Sequence, residues 1–196
     1  EAYVDYMTGL FERSGIENGR ERAEAILALE TAIADIHWTR AQARDRIANY
    51  NLMTVDELTE FAPGFDWRAF LEAEDVADQE EIIVNTDTAV QGLAQLFAET
   101  PVETLRSYLA FHFIDNHTAM LPAAFDDASF DFYARRLNGT EEQRPRELRA
   151  VQFVNGQLGE LIGQVYVEQY FPPDYRDQMS ELVEYLRRAF ADRLET

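Results

Sequence analysis

AEAILALETAIADI, residues 23–36, decides the fold class. Ile26, Leu29, Ile33 and Ile36 recur at spacings of three and four, so a helix places them on one stripe. A strand would scatter them over both faces. Burying four such side chains contributes roughly 6–12 kcal/mol as an upper bound. Asn18 stands where an N-cap belongs, with Glu21 three residues on.

The same pattern continues outward from this stretch. EAYVDYM at the start already has helical spacing, with no initiator Met, so the chain is expected to be cut from something longer. Thr39 predicts a cap for a helix to about Asn49. TVDE (54–57) spells a capping box before a short helix. PGFDW (63–67) is a turn whose Asp66 caps the next helix. EIIVN (81–85) is short and β-branched, the one segment that reads as extended.

Thr86 or Asp87 starts a helix to about Glu99. TPVET (100–104) predicts a Thr cap and a Pro at the first position of a helix to about Leu121, before Pro122. A Phe-rich helix with Phe125, Phe130, Phe132 and Tyr133 ends at Asn138-Gly139. Residues 145–170 form the longest helix, closed by Pro172-Pro173, and Asp174 caps the last, about 175–195. The expectation is one all-α domain over 1–196, with seven to nine helices and at most a short extended segment near 81–85. No repeat of 30–45 residues supports a solenoid.

Composition narrows the function. The chain has 196 residues and no Cys, which removes disulfides, thiolate zinc sites and Cys nucleophiles. It carries 37 acidic against 17 basic residues, net −20, and every basic residue is Arg. That field repels phosphate backbones and anionic bilayers, arguing against nucleic acid and against membrane contact from this segment. No apolar run is long enough to span a bilayer.

HFIDNH (112–117) is the stretch most suggestive of a metal. In H-E-x-x-H the two His lie four apart, about 40° around a helix, and converge on one ion. His112 and His117 lie five apart, about 140° around, and diverge. His112 and Asp115 converge, but two ligands do not make a site. His112, in the aromatic run YLAFHF, reads as a hydrogen-bonded structural residue. His37 reads as a helix-end residue packed with Trp38. The acidic pairs Glu80-Glu81, Asp126-Asp127 and Glu141-Glu142 fall in turns or helix starts, where carboxylates stabilise helix ends. Gly156, Gly159 and Gly163 share one face of the long helix, which predicts close approach of another helix, or else the smooth wall of a cavity. Arg106, Arg135 and Arg136 are suited to a peptide carboxylate but read as surface ion pairs. No catalytic residue and no metal ligand is assigned, and a substrate-binding set is unknown.

The order of motifs adds a family. ALETAIA (28–34), NYNLMTVDEL (49–58), APGFDW (62–67), SYLAFHF (107–113), RRLNGT (135–140) and AVQFVNGQLGELIGQVYVEQYFPP (150–173) resemble the helical N-terminal region of neprilysin-type zinc endopeptidases. The resemblance runs from about Tyr3 to Phe190 and is closer to bacterial members. Two positions depart from it: Arg146-Glu147 replaces an Arg-Trp pair, and Ala150 stands near a Cys of animal members. The resemblance implies a parent with a thermolysin-like catalytic lobe that holds zinc outside this chain, and a helical lobe that closes over the site. It implies oligopeptide substrates and a periplasmic or extracellular location. This chain carries no H-E-x-x-H, so no catalytic or metal residue carries over. The competing readings are a stand-alone acidic helical interaction module and an independent metalloenzyme using His112.

Overall fold

The computed structural model of the chain describes residues 1–194. Nine α-helices occupy them: α1 (Ala2–Arg13), α2 (Gly19–Ile36), α3 (Val55–Phe61), α4 (Trp67–Ala73), α5 (Asp87–Glu99), α6 (Val102–Asn116), α7 (Ala123–Ser129), α8 (Arg146–Tyr170) and α9 (Pro173–Leu194). A π-helical segment, Phe130–Leu137, continues α7. Two three-residue strands, β1 (Leu52–Thr54) and β2 (Glu81–Ile83), pair antiparallel with Leu52 opposite Ile83. The architecture is all-α apart from that pair. The chain divides into two compact units, Glu1–Glu141 and Glu142–Thr196.

In the first unit the α2 stripe turns inward as its spacing requires. Ile26 and Leu29 are buried, while Ile33 and Ile36 are half-buried. Ile26 joins a core in which Met7, Leu10 and Phe11 of α1, Ala23 of α2 and Phe111 of α6 are wholly buried, with Phe125 of α7 at its edge. A second, smaller core joins Leu58 of α3, Ala62 just past its end, Val84 beyond β2 and Ala94 of α5. α5 approaches α2 closely at Gly92, where an added Cβ would stand 2.8 Å from Ile36 Cγ2.

Local signals form where their own hydrogen bonds suffice. Thr54 and Glu57 make the full capping box of α3, and hydrogen bonds from Thr54 hold the Glu57 carboxyl below its ordinary range. The Asp66 carboxylate accepts from the Ala69 N–H at the start of α4. Gly139, at φ +71°, follows the π-helical segment, and its N–H bonds the Arg135 carbonyl.

Other expectations fail for identifiable reasons. The helix over 39–49 shrinks to a 3-10 turn, Gln42–Arg44. Thr39 and Gln42 do make reciprocal hydrogen bonds, but Asp45 Oδ1 captures the N–H groups of Ile47 and Ala48, and Ile47 is 89% exposed. No apolar face pulls that helix onward. Asn18 adopts φ 58° and makes no side-chain cap, so its box with Glu21 is absent. Thr100 closes α5 through the Leu96 carbonyl, and α6 begins after Pro101. α6 stops at Asn116, because His117 and Thr118 side chains take the carbonyls of Phe113 and Asp115. The strand partner of EIIVN, Leu52–Thr54, is supplied by the fold and has no signal of its own in the sequence.

In the second unit α8 is interrupted at Leu158, which has φ −120° and ψ 17°. The break lies between Gly156 and Gly159, where helix propensity is lowest. α9 begins at Pro173, so Asp174 lies within its first turn and does not cap it; the expected end near 195 falls outside the described residues. No described residue of α8 or α9 is buried. Among the described residues, no close approach is made at Gly156, Gly159 and Gly163: apart from the helix's own backbone, no atom lies within 4 Å of a Cβ added at any of them.

Phe111→Ala is expected to destabilise the first unit by about 3–5 kcal/mol, and Ile47→Ala by less than about 0.5 kcal/mol, in chemical denaturation followed by circular dichroism.

Candidate functional site

HFIDNH forms the last turns of α6 and the residue that ends it. Phe111, just before it, is sealed in the core, so residues one helical turn on also face inward. That turn brings Asp115 inward, and His112 lies beside it. Their partners come from distant parts of the chain.

His112 Nε2 lies 3.0 Å from Glu30 Oε1 of α2. The Tyr3 hydroxyl of α1 donates to the same oxygen at 3.2 Å. Asp115 accepts two phenols: Tyr6 donates to Oδ1 at 2.5 Å, and Tyr133 of the π-helical segment donates to Oδ2 at 2.9 Å. The Phe132 ring stacks on Tyr6 and Tyr3, with centroids 4.7 and 5.6 Å away. Tyr108 packs edge-on against the His112 ring at 4.3 Å. Two carboxylates thus tie together α1, α2, α6 and the π-helical segment.

Burial, reinforced by the neighbouring carboxylates, pushes the Tyr3, Tyr6 and Tyr133 hydroxyls well above the ordinary tyrosine range. An anion there would be poorly solvated and would face Glu30 or Asp115. The phenols therefore act as hydrogen-bond donors, holding the acids in a partly apolar setting.

The structure separates the two histidines, as the ring geometry predicts. The His117 ring turns away, and its Nδ1 donates to the Phe113 carbonyl at 2.6 Å. Among the described residues, no group of three or more His, Asp and Glu side chains is placed to hold a metal ion. The residues present therefore do not fit zinc. No buried side-chain nitrogen or oxygen among them lacks a hydrogen-bond partner.

His37 caps the end of α2, and the neighbouring Trp38 indole donates to Thr88. Arg106 pairs with Glu103, and Arg135 with Asp131 while lying over the Phe130 ring. Sequence reasoning missed Glu30 and the three tyrosines as members of this network. A signal for Glu30 was present: it stands four residues after Ile26 and three before Ile33, an acid on an apolar stripe. Such a residue requires a buried donor. The tyrosines left no local trace, since Tyr6 and Asp115 are 109 residues apart.

The chain matches the family model described as Peptidase family M13 over residues 1–196. It is 25% identical to mouse Membrane metallo-endopeptidase-like 1 over 211 residues, covering all of this chain and 28% of that protein. It is 26% identical to mouse Endothelin-converting enzyme-like 1, covering 99% of this chain and 26% of that protein. Its fold superposes on the Mycobacterium tuberculosis zinc metalloprotease Zmp1 in its open state with a TM-score of 0.81 and 30% identity. That match takes in 96% of this chain and 30% of Zmp1. Zmp1 in complex with an inhibitor matches at 0.78 and 29% identity. The chain thus spans under a third of these relatives.

Raised tyrosine hydroxyls give an alkaline limit. Below about pH 10 the three phenols are protonated in both folded and unfolded chains, and their contribution is complete. Above it the unfolded chain loses those protons first, so stability falls as pH rises towards the folded values. Ultraviolet titration should show these phenols ionising late, together with unfolding. Tyr6→Phe should remove one late-titrating group.

Proposed function

The chain belongs to peptidase family M13, and from that premise we propose that it is the helical, substrate-restricting lobe of a larger zinc-dependent endopeptidase. The observation that carries this reading is the match over residues 1–196 to the N-terminal part of proteins more than three times as long. Residues 1–196 serve as one lobe, and the catalytic residues and the zinc ligands belong to a thermolysin-like lobe elsewhere in the parent.

Two features of this chain support it. The first unit is cross-tied by hydrogen-bonded carboxylates and a fully buried aromatic core, suited to a rigid cover and not to chemistry. The second unit leaves Leu161 59% and Val165 52% exposed on α8, and among the described residues no side chain or neighbouring element lies within 4 Å of a Cβ added at its glycines. Exposed apolar residues of this density mark a surface meant for other protein, so the partner is the rest of the polypeptide.

Such a lobe works by exclusion. A roofed chamber admits oligopeptides and shuts out folded proteins. Excluding bulk water strengthens the electrostatic interactions around the metal, and a hinge motion between lobes gates entry and release. The location is periplasmic or extracellular.

The full-length protein should cut a short quenched-fluorescence peptide, lose that activity to a chelator, and spare the same sequence grafted into a folded domain. Equal cleavage of peptide and folded domain would remove the size-limiting role. Zinc-dependent cleavage by residues 1–196 alone would show that the chemistry resides here. A reading frame that stops at Thr196 would favour the stand-alone module.

A further inference from the structure

We propose that the ordered loop over residues 39–51 is the segment by which the first unit seats on the rest of the parent polypeptide, against a carboxylate-bearing surface that also covers Ile47 and Tyr50. The inference rests on the reading of the chain as one lobe of a larger protein. Residues 37–52 hold three arginines, Arg40, Arg44 and Arg46, against a single acid, Asp45, in a chain of net charge −20. Residues 39–48 are all exposed.

The loop is fixed although none of its residues is buried. Asn49 Nδ2 donates to the Ala43 and Asp45 carbonyls at 3.1 and 2.7 Å, and its Oδ1 accepts the Thr86 N–H just before α5. Asn51 Nδ2 donates to the Ala48 and Val84 carbonyls, which pins the end of the loop beyond β2. Asp45 Oδ1 accepts from the Ile47 and Ala48 N–H groups. These bonds order the backbone from within, so little entropy is lost when a partner covers it. What they leave uncovered is apolar and cationic: Ile47 is 89% and Tyr50 61% exposed. A single exposed apolar side chain is ordinary. Two on a rigid loop beside three arginines have the composition of a binding hot spot, where Arg and Tyr are over-represented.

The guanidinium groups identify the other side of the contact. Elsewhere in the first unit Arg20 pairs with Glu1, Asp5 and Glu24, Arg68 with Asp56, Arg106 with Glu103 and Arg135 with Asp131. Among the described residues Arg40, Arg44 and Arg46 pair with no carboxylate. Three unpaired forks call for carboxylates. Charge also decides where those carboxylates reside. A separate acidic protein, a second copy of this chain included, is repelled at long range by the net charge of −20. A surface on the same polypeptide is held near at an effective concentration on the order of millimolar. At contact, inside a screening length of about 8 Å, the local arginines outweigh the distant acids. The relatives have room for such a surface, since the matched part is 28% and 26% of their length.

The test introduces Arg40→Lys, Arg44→Lys and Arg46→Lys into the full-length protein. The charge is kept, and the new side chains bear the only lysine amines within residues 1–196, where every basic residue is Arg. A carbodiimide joins these amines to carboxylates in direct contact, and mass spectrometry of the peptides locates them. Cross-links to carboxylates outside residues 1–196 are expected, with a yield falling at least about fivefold as salt rises from about 0.05 to 0.5 M. Arg44→Lys alone repeats the test should the triple variant not fold. Ile47→Ala, which barely alters the stability of the first unit, should raise amide hydrogen exchange over 39–51 in the full-length protein by about fivefold. Cross-links confined to residues 1–196, cross-links only between differently isotope-labelled molecules, or none at all overturn the proposal. So does exchange that Ile47→Ala leaves unchanged. Size-limited cleavage without the expected cross-links overturns the docking and leaves the lobe reading standing; the cross-links without zinc-dependent cleavage do the reverse.

Discussion

Phe111 enters the core from α6 and is completely enclosed by α1 and α2. The larger core of the first unit is built around that insertion. Its ring meets Tyr3, Tyr6 and Phe11 of α1 at centroid distances of 5.9 to 6.3 Å. Once it is seated, helical geometry leaves no freedom for the next turn. Asp115 is carried inward with it, and a carboxylate so placed must find donors. Tyr6 and Tyr133 supply them. The polar network is a consequence of the apolar contact, because an acid on a buried face is tolerable only with its hydrogen bonds made.

A suggestive motif is not by itself a site. Two histidines and an aspartate within six residues invite a metal reading, yet each is consumed by structure: one by Glu30, one by a backbone carbonyl, one by two phenols. Zinc chemistry needs three or more converging ligands with an open position. This network is closed and has no member to spare.

The second unit is built differently. α8 and α9 keep helical form while their apolar residues stand in water. Local propensity and the flanking prolines are enough to write such helices, but not to bury them. The glycines of α8 carry the same meaning: they cost helix stability, they permit the break at Leu158, and nothing among the described residues approaches them.

Periodicity determined what lies within one helix turn. The helical class, the α2 stripe, the capping box at Thr54, the cap at Asp66 and the turn at Gly139 were legible because each depends on residues no more than five positions apart. The family, too, was legible from motif order. Competing local side-chain hydrogen bonds shortened 39–49 to a single turn and ended α6 at Asn116, and tertiary structure paired Leu52–Thr54 with the expected extended segment. It alone joined Glu30 to His112 and Asp115 to Tyr6, contacts that span 82 and 109 residues. A chain announces its helices through neighbours, but a buried acid finds its donors only after distant helices have packed.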